Sequence, residues 1–223
     1  GGSLAAALAL IDAAAVAGAD AAKFQLWHAD HMYDPALFPK EHASAVKWQM
    51  PESWLPKLAE RCEERGIDFG CSAFCLDALD AVDPFVKWHK VASIEAGWRE
   101  FVENVARRGK PVLISTGMSD HEQARRAVDA LGTFPMPRRD LVPIFNDRYG
   151  RDVSNDHAWD YPSHETEWRH GVPFVLLHCC VAYPTSLDDA NVRLAAGPTR
   201  QGWHTGLSDH TIHPTIAPCA ATV

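Results

Sequence analysis

Five glycines set the rhythm of this chain. Gly18, Gly66, Gly109, Gly171 and Gly202 each stand just before a short apolar run, most of them closing a stretch of helical apolar spacing. Glycine at that junction ends a helix and turns the backbone into a strand. Ahead of Gly18, Leu4, Ala7, Leu8, Ile11 and Ala15 recur at helical spacing behind Ser3, a residue suited to cap the first turn. Trp54, Leu55, Leu58, Ala59 and Cys62 mark a second stripe opened by Ser53, and Phe101, Val102 and Val105 a later one. Ser119-Asp-His-Glu122 reads as a capping box for a helix reaching about Leu131. Further helices are predicted over 76–82 and 187–196, and another is under way where the chain ends. The strands are predicted at 19–25, 67–73, 85–93, 112–115, 174–178 and 204–208. Residues 26–52 read as a long loop rich in aromatic and histidine residues (Trp27, His28, His31, Tyr33, Trp48), and 133–172 shows neither period.

Alternating helices and buried strands imply a parallel sheet with crossover helices. Polar residues sit at the carboxyl end of nearly every strand: Lys23 and Gln25, Ser72, Lys90 and Ser93, Ser115, His178, then Ser208 and His210. A doubly wound sheet gathers its ligand contacts at one switch point, whereas a barrel gathers them from many strand ends. No glycine-rich dinucleotide fingerprint supports the former. The expected fold class is α/β, a TIM (β/α)8 barrel with its first and last strands missing from the 223 residues. The chain is expected to be one incomplete barrel domain over 1–223, with an irregular insertion at about 133–172. It begins without Met and inside a helix signal, as a piece of a longer chain would.

A net charge of −8 argues against a general nucleic-acid binder, which carries a basic footprint. It leaves room for an anionic substrate, because a few local lysines outweigh the global sign. The six cysteines form neither paired CxxC motifs nor a small-domain disulfide pattern, so reduced thiols in a cytoplasmic protein are expected. No apolar run approaches the length of a membrane span, and the alanine-rich start lacks a basic leader.

The strand ends read as an anion site. Lys23 and Lys90 are long cations in strands expected to be buried, where an uncompensated charge is costly. Ser93, Ser115 and Ser208 add hydroxyls, and Thr116-Gly117 offers backbone amides before a helix. A salt bridge to a carboxylate such as Glu95 is the competing role for either lysine. Glu95 itself has the chemistry to orient a sugar hydroxyl or move a proton. In the stretch 206–211, a period of two puts Gly206, Ser208 and His210 on one side of the backbone. His210 can ligate a divalent cation, or it can be a plain hydrogen-bonded histidine beside a turn capped by Asp209 or Thr211. Tyr183 either lines the mouth of the site or packs at its turn. His157, His164 and His170 fall in a loop that a barrel places on the face away from the chemistry.

Taken together, these segments resemble the sialic acid synthase family, the phosphoenolpyruvate-dependent N-acetylneuraminate and nonulosonate synthases. The resemblance rests on Gly18-Ala-Asp-Ala-Ala-Lys-Phe-Gln25, Gly66-Ile-Asp-Phe69, Cys71-Ser72, Lys90-Val-Ala-Ser-Ile-Glu95 and Gly109-Lys-Pro-Val-Leu-Ile-Ser-Thr-Gly-Met118. Leu176-Leu-His-Cys179, Tyr183-Pro-Thr185 and Gly206-Leu-Ser-Asp-His-Thr211 complete it in the family's order. It implies condensation of phosphoenolpyruvate with an open-chain, N-acylated amino sugar (N-acetylmannosamine-like), giving a sialic or nonulosonic acid and phosphate. By resemblance, Lys23, Lys90, Ser93, Ser115 and Ser208 hold phosphoenolpyruvate, and Gln25, Glu95 and Tyr183 face the sugar. Lys90, Glu95 and His210 carry the catalysis, with His210 one of two histidine ligands for manganese or magnesium. The resemblance also implies a homodimer when full length, while charge and hydropathy argue against nucleic-acid and membrane partners.

The chain departs from the family at several places. Ala73 and Val181 stand where a Thr and a polar residue are usual, and 133–172 is longer than the usual connection. The family's first strand, its second metal histidine and its C-terminal antifreeze-like domain fall outside the sequence. Two other readings are an aldolase or a different phosphoenolpyruvate-dependent sugar-acid synthase, and a degenerate barrel that binds sugar without catalysis.

Overall fold

A computed structural model describes residues 2–132, 172–196 and 204–222. The expectations for 133–171, including His157, His164 and His170, lie outside these residues. The chain divides into two compact units, Gly1–Val91 and Ala92–Val223.

In the first unit, helix α1 (Leu4–Val16) opens as expected, with the Ser3 hydroxyl accepting from the Ala6 amide at 3.1 Å. Gly18 then takes φ +80°, a left-handed turn that a Cβ would strain. Strands β1 (Ala21–Leu26), β2 (Asp68–Ala73) and β3 (His89–Val91) follow, β2 pairing in parallel with both neighbours. Ala7 and Ile11 of α1 are buried, as are Leu55, Leu58 and Cys62 of the later helix α4 (Leu55–Glu64). Leu58 and Ile11 are wholly buried, each a stabilisation of about 1.5–3 kcal/mol.

The stretch read as a loop holds two helices, α2 (Ala29–Met32) and α3 (Pro39–Trp48). Pro39 begins α3 with its fixed φ, and only Ala45 of that helix is buried, so no apolar stripe announces it. Ser53 lies within a 3-10 turn, Glu52–Trp54, and caps nothing. Helix α5 (Leu76–Val82) matches its prediction, while β3 is shorter than predicted because Asp83–Phe85 forms another 3-10 turn around Pro84.

The second unit contains α6 (Arg99–Arg107), β4 (Val112–Ser115), α7 (His121–Gly132), β5 (Phe174–Cys179), β6 (Thr205–Ser208) and α8 (Ile216–Ala220). β5 pairs in parallel with β4 and with β6. The capping box of α7 sits one residue further on than predicted. The Asp120 carboxylate accepts from the Gln123 amide at 2.7 Å, and the Gln123 side chain accepts from the Asp120 amide at 2.9 Å. The predicted 187–196 helix is only a 3-10 turn, Val192–Ala196. A local bond from the Asp189 amide to Ser186 Oγ and a φ of +44° at Asn191 interrupt it.

Candidate active site

Strand register builds a polar row in the first unit. Gln25 pairs with Ser72 and Ser72 with Lys90, so three neighbouring strands project an amide, a hydroxyl and an ammonium from one face at one level. One layer below, Lys23 pairs with Gly70, and Gly70 has no room for a side chain because the Trp88 indole comes within 2.4 Å of where its Cβ would be. Ala73 points the other way, level with the buried Leu26, so its departure from the family lies on the apolar face.

Lys90 is 9% exposed, and its ammonium donates to the Val91 carbonyl at 3.0 Å. Lys23, expected to be buried, is solvent-exposed on a strand paired along one edge. Protein packed about its ammonium still lowers its pKa, a desolvation effect that interaction with Cys71 opposes. Burial pushes the Cys71 thiol up to about 12. Gln25 also lines an open hollow of about 560 Å³ walled by Trp27, Tyr33, Trp48 and Phe74, with Lys40, Glu41 and Ser44 at its polar side. Trp27 and Phe74 meet edge to face with centroids 6.2 Å apart. Aromatic walls with a few polar groups suit a small polar organic ligand.

In the second unit, Ser93 is buried and its hydroxyl accepts from the Gly117 amide at 3.1 Å. An accepting hydroxyl keeps a proton to donate. The Thr116 amide is bound to the Leu177 carbonyl at 3.2 Å, so the two amides read as anion donors already serve the fold. A Cβ on Gly117 would lie 2.7 Å from both the Cys179 carbonyl oxygen and Val181, which explains the glycine and gives Val181 a packing role. Ser115 is 1% exposed at the end of β4, and Glu95 is buried on the 3-10 turn Glu95–Gly97. His178 is an anchor: its Nε2 donates to the Ala190 carbonyl at 2.9 Å.

Ser208 ends β6, and His210 lies two residues beyond it. The His210 Nδ1 donates to the Cys180 carbonyl at 2.9 Å, and its own carbonyl accepts from the Thr185 amide at 2.9 Å. A carbonyl only accepts, so Nδ1 carries the proton and Nε2 keeps its lone pair. That is the tautomer a metal-binding imidazole needs. Tyr183 is 73% exposed, and its ring lies 4.3 Å from that of His210. Partial burial, then the nearby Cys179, raises its phenol pKa. Asp209 forms a local turn, accepting from the Thr211 amide at 2.9 Å, and caps no helix.

One group of donors was not singled out in the sequence. His28, His31 and Cys75 place one ligand atom each within 4.8 Å of the others, an arrangement that could hold a metal ion. An i, i+3 histidine pair just after the first strand, and a cysteine just after the second, were the available signals.

Residues 10–223 match the NeuB family. The chain is 31% identical to the spore coat polysaccharide biosynthesis protein SpsE of Bacillus subtilis (strain 168), over 99% of its length and 53% of that protein. It is 29% identical to the N,N'-diacetyllegionaminic acid synthase of Legionella pneumophila, over 97% of its length and 57% of that protein. It thus spans about half the length of these curated relatives. The crystal structure of an N-acetylneuraminic acid synthetase from Leptospira borgpetersenii superposes with a TM-score of 0.74 at 24% identity, covering 97% of this chain and 64% of that one. The crystal structure of Bacillus subtilis SpsE gives 0.68 at 29% identity, covering 99% and 53%. These likenesses bear out the fold class expected from the sequence, an α/β barrel of the TIM type. The matched span leaves out only nine residues at the amino end, and on that evidence the chain belongs to the NeuB family.

Proposed function

We propose that the protein carrying this chain is a synthase that condenses phosphoenolpyruvate with an N-acylated amino sugar, forming a sialic or nonulosonic acid and releasing phosphate. The observation that carries the reading is the Gln25–Ser72–Lys90 row in a NeuB-family chain. It sets a cation beside hydrogen-bonding groups, and Gln25 opens on a hollow of sugar-compatible chemistry. In this reading Lys23, Lys90, Ser93, Ser115 and Ser208 bind the phosphate and carboxylate of phosphoenolpyruvate. Fixed cations and hydroxyls stabilise the charge that the departing phosphate gains. Gln25, Glu95 and Tyr183 orient the sugar, Glu95 holding or moving a proton at a sugar hydroxyl. His210, with Nε2 left to accept, fits a ligand role for manganese or magnesium. Such an ion, when bound, supplies Lewis-acid polarisation of the aldehyde oxygen. The six free cysteines suit a reducing compartment such as the cytoplasm. No helix among the described residues is long and apolar enough to cross a membrane.

The test is phosphate release from phosphoenolpyruvate by the full-length protein, with and without N-acetylmannosamine-type sugars. Release that requires the sugar is expected; none with any amino sugar would leave a sugar-binding barrel without catalysis. A second reading, a Schiff-base aldolase, rests on two strand-end lysines, of which Lys90 is buried, the setting in which an amine nucleophile is activated. Borohydride trapping with substrate labels Lys23 or Lys90 only in that case.

A further inference from the structure

The loops leaving β1 and β2 bring together donors separate from His210. Leu26 pairs with Ala73, and the Phe74 amide still bonds the Leu26 carbonyl at 3.2 Å. His28 stands two residues past Leu26 and Cys75 two past Ala73, so the paired strand exits deliver them to one level. His31 lies three residues beyond His28 in the α2 segment, a spacing that brings side chains to the same side of a helical turn. The His28 Nδ1 is 3.7 Å from Cys75 Sγ, and the ligand atoms of all three residues lie within 4.8 Å of one another.

Two further details favour an ion here over a plain thiol–imidazole contact. Tetrahedral zinc, with Zn–S near 2.3 Å and Zn–N near 2.0–2.1 Å, sets the sulfur and nitrogen about 3.6 Å apart. The His28–Cys75 pair already has that separation. The second nitrogen of His28, Nε2, bonds the Glu52 carboxylate at 2.8 Å, which turns Nδ1 and its lone pair toward the thiol. A carboxylate behind the imidazole is the usual support of a metal-bound histidine.

We propose that His28, His31 and Cys75 form a site for zinc or a similarly borderline-soft divalent ion, with a fourth position left to water. Two imidazoles and a thiolate select such ions over magnesium or manganese. On binding, the Cys75 thiol gives its proton to solvent and its sulfur forms the metal bond, with no change of oxidation state. The His31 side chain is 47% exposed, so the ion reaches the site from water. Trp27 and Phe74, the residues just before His28 and Cys75, wall the hollow that Gln25 lines. The ion therefore clamps that wall by tying the exits of β1 and β2 together. This inference does not depend on the proposed condensation.

The test strips metal from the full-length protein and titrates it with cobalt(II). The wild type should show a thiolate-to-cobalt charge-transfer band that saturates at one equivalent and disappears on adding zinc. Cys179 Sγ lies 3.8 Å from His210 Nδ1, so variants must assign the band. Cys75→Ser should abolish it and His210→Ala should leave it intact. Cys75 is buried, so a second variant keeps the test independent of any effect on folding. The exposed His31 provides the second measurement, with His31→Asn expected to weaken cobalt binding by at least about tenfold. Absence of the band in the wild type, its persistence in Cys75→Ser, or its loss only in His210→Ala would overturn the site.

Discussion

The two units place their polar side chains by different means. In the first, Gln25, Ser72 and Lys90 are where they are because three parallel strands are in register, and a slip of one residue would turn each to the other face. In the second, the strand ends carry Ser115 and Ser208, but His210 lies beyond β6. It is held by the Cys180 carbonyl, the Thr185 amide and the face of Tyr183. A position set by pairing is robust to its neighbours. A position set by a few loop hydrogen bonds depends on each of them, and that is where function is most easily lost.

The largest effect is therefore expected at His210. In the full-length protein, His210→Ala should lower turnover at least about 100-fold, since a Lewis acid contributes several kcal/mol to such a reaction. Phosphoenolpyruvate affinity should stay nearly unchanged, because the lysines and serines remain. EDTA followed by manganese should switch the wild type off and on. Steady-state kinetics with a separate binding titration reads both quantities. Turnover that survives in His210→Ala would make this loop cluster a structural device only.

Next comes the row. Lys90→Ala should weaken phosphoenolpyruvate binding by about 1.5–3 kcal/mol, roughly 10- to 150-fold, with little change in the Michaelis constant for the sugar. Gln25→Ala should do the reverse. Equal losses of both substrates in each variant would show that the row acts as one unit rather than as separate contacts.

These two regions were not equally legible in the sequence. Lys23, Gln25 and Lys90 stand out as polar residues in apolar runs, and β4 and α5 were predicted to the residue because turn and pattern signals agree there. Helix α3 leaves no apolar stripe in the sequence because it buries little beyond Ala45. The capping box of α7 was offset because Ser119/Glu122 and Asp120/Gln123 have the same spacing, and only the folded chain chooses between them. Lys23 was expected to be buried, but β1 lies at the edge of the described strands. The His28–Cys75 approach joins residues 47 apart, and no local period encodes it. The His210–Cys180 bond is hidden for the same reason, although its two segments were each visible as motifs.

A smaller change probes the packing under the second unit's loops. Gly117→Ala would press a methyl group to 2.7 Å from the Cys179 carbonyl oxygen and from Val181. Overpacking of this kind costs about 1–3 kcal/mol, to be measured as a loss of unfolding free energy in urea. Because Gly117 also donates to Ser93, phosphoenolpyruvate affinity should fall with it. Pairing Gly117→Ala with Val181→Ala should recover part of the stability, since one of the two contacts is relieved. The carbonyl contact stays.

The smallest effect belongs to the scaffold of the first unit, where α1 and α4 are joined through charge. The Arg61 guanidinium grips Asp12 with two bonds of 2.8 Å, and Arg65 adds a third at 2.7 Å. These bonds hold the Asp12 carboxyl down to about 2, against an ordinary value of 3.8. Between those values the unfolded chain binds a proton that the folded chain does not, so folding is disfavoured as pH falls through this window. The contribution is fully present above about pH 4 and gone below about pH 2. The group is at the surface, so solvent and salt screen it and the effect is modest. Melting temperature measured against pH should show Asp12→Asn lying slightly below the wild type at neutral pH, with the two curves converging on acidification. Curves that stay parallel down to pH 2 would mean that the arginines stabilise α1 and α4 through packing of their stems rather than through charge.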